Sequence, residues 1–483
     1  MKLTLKEKAS YGLGAVGKDM VYALSATYIL YYYQDLLHVP AIYMGIILLC
    51  ARVFDAFNDP VMGIIVARTR TRWGKFRPWL MIGTLLNSVF LILMFAVPAS
   101  VTAGGLVAWA AVMYILWGVT YTMMDIPYWS MVPAFTEAGP ERENVSALGR
   151  SCAGVGSALI QIFTMMVVPA LGAIGLSASG VTQEMIERNG FKYLSIGVAV
   201  LFILFITITC VNIREKSTVE METASVGAMF RALIENDQAM TVVIAIVLVN
   251  SAFYITSNLI IYFFKYDFGG SNWYGSYTLF NMFGGGMQIL SMMILFPLLR
   301  RFMDTIRMFR LALCASICGY LILLAIATFT GMGNVFILFI PAFFVFSANG
   351  ILTVLTTVFL ANSVDYGQLK NGRRDESVIF SMQTFVVKLA SGVAALLASL
   401  CLTVFKLSEG TDVSEADKIR DFAATVAASS KVGLRMTMTI LPIIGLFVGI
   451  FWFRKKYMLT DEKMDEINGA LKARQGNPVD SHD

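Results

Sequence analysis

Long apolar runs recur along all 483 residues, and they constrain the fold more than any other feature of the chain. Crossing about 30 Å of hydrocarbon takes roughly 20 residues of helix. Runs of that kind lie near 11–37, 41–66, 78–98, 105–132, 147–175, 191–213, 238–266, 275–299, 308–330, 334–363, 377–406 and 433–454. The expected fold class is an all-α membrane protein with 12 transmembrane helices. Composition agrees, since 57% hydrophobic against 14% charged residues lies outside the range of an ordinary soluble domain.

Loop charge sets the expected orientation. Loops that would share a side with the N-terminus are basic: Arg68, Arg70, Arg72, Lys75 and Arg77; Arg142; Arg214, Lys216 and Arg231; Arg300, Arg301, Arg307 and Arg310; Lys370, Arg373 and Arg374; Arg454, Lys455 and Lys456. Opposite loops such as Pro98–Gly105 and Thr330–Asn334 carry no charge. The positive-inside rule then places both termini in the cytoplasm, and an even number of spans agrees with that. One outer loop, 408–431, is longer and mixed in sign, and is expected to fold as a small cap. The net charge of +5 is carried by the short basic loops, so it implies membrane lipid and no nucleic acid as a partner. The first run follows Lys2, Lys6 and Lys8 with no small-residue cleavage site behind it, and reads as a retained span. Cys50, Cys152, Cys210, Cys314, Cys318 and Cys401 lie singly in apolar stretches, as small buried hydrophobes rather than a disulfide framework. Cys314 and Cys318 share a helix face but have no companion ligands for a metal.

The polar stretch 214–237 divides the chain into an N-terminal six-helix bundle (1–213), a cytoplasmic middle loop (214–237), a C-terminal six-helix bundle (238–457) and a cytoplasmic tail (458–483). RTRTRWGKFRP after the second run is echoed by LRRFMDTIRMFR after the eighth. Two pseudo-symmetric bundles around a midplane site are what a carrier needs to rock between inward and outward openings.

Ionisable residues inside the runs carry the chemistry. A charge at bilayer depth costs about 2.5–3.5 kcal/mol on insertion scales, so it persists where it is paired or used. Asp19, Asp55, Asp59, Asp125 and Lys388 are such residues. Asp55 and Asp59, four apart, share a helix face, with Arg52 one turn before and Asn58 alongside. Two carboxylates with an amide carbonyl are hard oxygen ligands that suit Na⁺. The competing view is a purely structural network in which Arg52 and Lys388 neutralise both aspartates.

Tyr121, Asp125 and Trp129 follow at intervals of four and form one stripe. A sugar needs such a surface: the carboxylate accepts from hydroxyls while an aromatic face covers the C–H side of the ring. The plainer alternative is an interfacial aromatic belt. Lys18 and Asp19 are neighbours in sequence, do not share a helix face, and are expected to find partners elsewhere. Arg150 would supply a bidentate fork to Asp19 or Asp125 and donate to hydroxyls besides; the plainer alternative is an ordinary positive-inside loop arginine. Lys388, with Thr384 and Gln383 beside it, is expected to reach Asp55, Asp59 or Asp125 from the second half and to stand in for the cation when the site is empty.

No Walker loop, zinc motif or nucleophile elbow occurs. The histidines His38 and His482 lie at a span end and in the tail, so proton coupling would fall to carboxylates. A membrane-embedded glycosyl or lipid transferase using Asp55 and Asp59 as acid and base would require a water-facing domain or nucleotide motif, and a nontransporting sugar sensor would require a signalling domain. The expectation is therefore a monomeric secondary transporter without a resident cofactor, and not an enzyme.

GKDM in the first run, ARVFDAFNDPVMG with TRTRWGKFRPW, YILWGVTYTMMDIPYWSMVP, Arg150, VDYG at 364–367 and SMQTFVVK resemble the melibiose carriers of the glycoside-pentoside-hexuronide:cation symporters over nearly the whole chain. The resemblance implies the major facilitator fold and cotransport of a glycoside with Na⁺, Li⁺ or H⁺. It implies that Asp55, Asn58, Asp59 and Thr122 bind the cation, that Lys18, Asp19, Tyr121, Asp125, Trp129 and Arg150 hold the sugar, and that Gln383, Thr384 and Lys388 close from the other half. Asp19 and Asp125 would repel an anionic uronide, which favours a neutral α-galactoside such as melibiose. Ala26, Ile64 and Thr353 stand where those carriers have aromatics, and Asn362 and Gln368 where they have acids, which alters the ring or aglycone that fits.

Overall fold

The computed structural model describes residues 3–98, 100–136, 140–175, 181–215, 226–270, 272–330, 332–372, 376–407 and 422–476. The expected basic residues Lys216, Arg373 and Arg374 and most of the expected cap, 408–421, lie outside them.

The long helices are α1 (Leu5–Tyr31), α2 (Ala41–Arg68), α3 (Arg77–Phe95), α4 (Ala103–Ser130), α5 (Pro140–Gly172), α6 (Gln183–Asn212), α7 (Asp237–Phe263), α8 (Trp273–Leu290), α9 (Thr305–Phe329), α10 (Phe339–Asn371), α11 (Glu376–Val404), α12 (Ala428–Lys456) and a tail helix α13 (Asp461–Gly476). Eleven of them, α2 to α12, are long and apolar enough to cross a membrane. In α1, Lys6, Glu7, Lys8, Lys18 and Asp19 lower the hydropathy. Its 27 residues still reach about 40 Å at 1.5 Å per residue, so length permits a twelfth crossing.

Local chemistry explains the helix ends. Thr4 and Glu7 form a reciprocal capping box at the start of α1, and Thr102, Thr182 and Asp304 cap α4, α6 and α9 with side-chain oxygens. Three of the helices continue into π-helical turns, Tyr32–Leu36 after α1, Phe264–Phe268 after α7 and Ser291–Leu295 after α8. Such turns concentrate at functional sites. The middle stretch, expected as a loop, contains a short helix, Val226–Glu235.

The chain forms two compact units. The first comprises Met1–Thr223 together with Ile260–Asn281 and Ala395–Leu434; the second comprises Ala224–Leu259, Met282–Ala394 and Arg435–Asp483. In the first, α1 packs on α5 and α6, α3 on α4 and α6, and α2 on α4. In the second, α9 packs on α10, and α13 docks on α10. Arg300 there meets Asp461 at 2.7 Å.

The cysteines differ in part from expectation. Cys210 and Cys401 are buried, but Cys50, Cys314 and Cys318 are exposed. They sit on helices read as spans, where an apolar side chain faces lipid at no cost and the outward face need not be closed by protein.

Candidate functional site: a lysine between two carboxylates and a carboxylate pair on α2

The polar residues of α1, α2 and α4 converge inside the first unit. Lys18 is 3% exposed, and its ammonium lies 2.7 Å from Asp125 Oδ1 and 2.9 Å from Asp19 Oδ2. It also donates to the Tyr121 hydroxyl at 3.3 Å and faces the ring of Trp129 at 4.8 Å. The expectation that adjacent Lys18 and Asp19 would not satisfy one another is thus overturned. Backbone directions do diverge at neighbouring helical positions, but a four-carbon lysine stem bends back round the helix and brings its head to both acids.

The stripe on α4 forms as expected and is longer. Trp117, Tyr121, Asp125 and Trp129 follow at intervals of four. Trp117 stacks on Tyr121 with ring centroids 5.4 Å apart. Trp129 donates its indole N–H to Asp125 Oδ1 at 3.1 Å. Arg150, on α5, makes no ion pair with Asp19 or Asp125; its guanidinium instead lies 4.0 Å over the Trp129 ring. A planar cation on that face holds the indole while leaving the carboxylates to other donors. With 19% of the Asp19 side chain and 29% of that of Asp125 exposed, both retain surface for hydroxyls.

The second constellation lies on α2 and its neighbour α4. Thr122 donates to Asp59 Oδ1 at 3.1 Å, and Arg52 meets Asp55 Oδ2 at 3.5 Å. Asn58 Nδ2 is buried with no hydrogen-bond partner. Pro60 lies inside the helix and removes the N–H that the carbonyl of Ala56 would accept. Gly118 on α4 makes room for Asp55: a Cβ there would stand 2.5 Å from Asp55 Oδ1. Oxygen chemistry dominates, and no group of three or more His, Cys, Asp or Glu side chains gathers as a metal cluster among the described residues. The four cation candidates Asp55, Asn58, Asp59 and Thr122 are therefore brought to one helix pair.

Sequence reasoning missed Tyr22, which lies between the two constellations. Its ring is 5.5 Å from that of Tyr121, and the Arg52 guanidinium lies 5.5 Å over it. Tyr22 is one turn after Lys18, a spacing that was available in the sequence. Tyr11, Tyr128 and Ser157 were missed as well: Tyr11 and Tyr128 stack at 4.8 Å, and Ser157 donates weakly to Asp19 Oδ1 at 3.5 Å. Gln383, Thr384 and Lys388 lie on α11 in the second unit. There Thr384 donates to its own helix at Phe380, and Ser391 donates to the carbonyl of Lys388.

The family described as MFS/sugar transport protein matches residues 10–461. The chain belongs to this family. Among its relatives, a lactose permease of Lactobacillus delbrueckii subsp. bulgaricus is 26% identical over 493 residues, spanning 99% of this chain and 74% of the permease. The Escherichia coli K12 protein YagG, named for glycoside/cation symport, is 27% identical over 483 residues, 99% of this chain and 98% of its own. The solved xylose transporter XylE of E. coli, in a partially occluded inward open conformation, superposes with a TM-score of 0.57 at 11% identity, covering 95% of this chain and 98% of XylE. The protein is thus an all-α major facilitator, a multi-pass sugar transporter of the bacterial inner membrane, and not an enzyme.

Proposed function

We propose that this chain is a symporter that imports a neutral α-galactoside such as melibiose, driven by Na⁺, with Li⁺ or H⁺ as substitutes, by alternating access of two six-helix bundles, 1–213 and 238–457. In this scheme α1 makes the twelfth crossing, both termini are cytoplasmic and the monomer is the working unit. Asp55, Asn58, Asp59 and Thr122 hold the cation. Lys18, Asp19, Tyr121, Asp125, Trp129 and Arg150 hold the sugar, and Gln383, Thr384 and Lys388 close on it from the second half, with Lys388 replacing the cation in the empty carrier.

The observation that carries this reading is Lys18 held between Asp19 and Asp125 beside the Trp129 face. A ligand rich in hydroxyls substitutes for the water on those carboxylates while its C–H face covers the indole. An anionic uronide would meet two carboxylates in a poorly solvated space. Asp59, joined to α4 through Thr122, gives cation binding a direct handle on the helix that carries Tyr121, Asp125 and Trp129.

The experiment is uptake of labelled α- and β-galactosides by membrane vesicles under Na⁺, Li⁺ or H⁺ gradients, repeated with Asp59→Cys. The expected outcome is α-galactoside accumulation under a Na⁺ gradient, abolished in the variant while downhill exchange persists. Undiminished accumulation in Asp59→Cys would overturn the cation assignment. A β-galactoside preference, as the name of the lactose permease relative would imply for this chain, would overturn the sugar assignment alone.

A further inference from the structure

Asp35 and Lys265 stand 230 residues apart in sequence, and neither belongs to the site above. Asp35 lies on the π-turn after α1 and Lys265 on the π-turn after α7. The Lys265 ammonium is 2.6 Å from Asp35 Oδ2, with the side chains 6% and 0% exposed. Tyr266 donates its hydroxyl to the same oxygen at 2.7 Å, and Gln34 donates to Asp35 Oδ1 at 2.9 Å. Lys265 also donates to the Tyr31 hydroxyl at 3.3 Å, which donates in turn to Glu187 Oε2 at 2.7 Å. The rings of Tyr31, Tyr266 and Phe422 surround the ammonium at 4.8, 5.3 and 4.8 Å.

These residues come from four places in the chain: the end of α1, the start of α6, the end of α7 and the segment before α12. With alternating crossings, all four lie on one membrane side, opposite the N-terminus. The segments carrying Lys265 and Phe422 belong to the second half of the sequence, yet they cluster with the first half in one compact unit. A rocking carrier must part its halves on that side to admit substrate from outside, and this contact is then among those that break, beside the Tyr31–Tyr262 ring contact.

We propose that Asp35 and Lys265 form a charged latch that holds the outer end of the carrier shut, with Tyr31, Tyr266 and Glu187 as its supporting network. The inference rests on the alternating-access reading but on no particular sugar or cation. The π-turns give the latch its aim, because a wider turn rotates the last residues of α1 and α7 away from the register of the helices behind them. Sealing the pair from water strengthens its attraction, and the surrounding rings add to it. When the ends part, water re-solvates Asp35, Glu187 and Lys265 and compensates for the lost pairing, so the latch holds without locking permanently.

The test reads access to the sugar constellation from outside and needs no sugar, so a wrong sugar assignment leaves it intact. Ser157→Cys, beside Asp19, is labelled by a membrane-impermeant maleimide in right-side-out vesicles holding the full-length protein, with the rate for the parent chain subtracted. Adding Lys265→Ala is expected to raise the labelling rate at least tenfold. Lys265→Arg is expected to stay within threefold of Ser157→Cys alone, and the exchanged pair Asp35→Lys with Lys265→Asp to return the rate to that range. An unchanged rate in Lys265→Ala would overturn the latch. So would an exchanged pair that labels as fast as Lys265→Ala, which also covers the case in which single variants open the chain by misfolding.

Discussion

Two buried lysines in the first unit, Lys18 and Lys265, have almost the same chemical surroundings and opposite relations to water. Each ammonium lies within 3 Å of a carboxylate and within 5 Å of an aromatic ring. The acids facing Lys18 are 19% and 29% exposed, whereas the acid facing Lys265 is wholly covered. A carboxylate with residual exposure can exchange its water for hydroxyls; one without it can only hold its cation or separate from it. Exposure of the acid, more than identity of the base, distinguishes a binding constellation from a clasp.

The sharpest way to break that comparison is Lys18→Ala. It leaves two partly exposed acids without their ammonium, at a cost toward or below the low end of the range of about 3–5 kcal/mol for breaking a fully buried pair. Sugar uptake is expected to fall at least ~100-fold. Outside labelling at Ser157→Cys should at the same time stay near the rate of Ser157→Cys alone, the reverse of Lys265→Ala. Retained uptake in Lys18→Ala would remove the distinction between the two lysines.

Gly118→Ala is expected to act next most strongly, and on the cation alone. The new methyl forces the Asp55 carboxylate aside, at about 1–3 kcal/mol for overpacking. Half-maximal uptake should then need roughly 10-fold more cation, while sugar affinity at saturating cation stays within about twofold. A flux titration against Na⁺ at fixed sugar decides it. Trp129→Phe keeps the aromatic face but removes the N–H donated to Asp125, a bond to a charged group worth about 1.5 kcal/mol. About tenfold weaker sugar binding with unchanged cation dependence is expected, measured by equilibrium dialysis of labelled sugar. Ser157→Ala is the smallest, within about threefold in sugar affinity, because its 3.5 Å approach to Asp19 is at the outer limit of a hydrogen bond.

The spans were legible because lipid imposes a length and a composition together, and a run such as Thr305–Phe329 satisfies both. The α4 stripe was legible because interval-four spacing on a helix is a statement about faces. The Lys18–Asp19 contact was not, since face rules follow Cα–Cβ directions and ignore how far a lysine stem reaches. The expected fork from Arg150 to Asp19 or Asp125 fails for a related reason: a guanidinium can satisfy itself on a π face as well as on a carboxylate, and residue type alone does not choose between them. Asp35 and Lys265 escaped notice because charges at the ends of apolar runs read as ordinary loop residues, and nothing in a single sequence joins two positions so far apart. The burial of both is a property of the fold.

Glu215, just beyond α6, accepts backbone N–H bonds from Lys75, Phe76 and Arg77 at 2.7, 2.9 and 3.2 Å. Gly74 beside them adopts a φ of +107°, a conformation in which a side chain is disfavoured, and that bend turns three successive amides toward one acid. The strip bearing Arg68, Arg70, Arg72, Lys75 and Arg77 is therefore tethered at its far end rather than left to drift among phosphate headgroups. Helices two, three and six share this knot, so a tilt begun in any of them drags its companions, and a lever made of several rods moves as though cast in one piece.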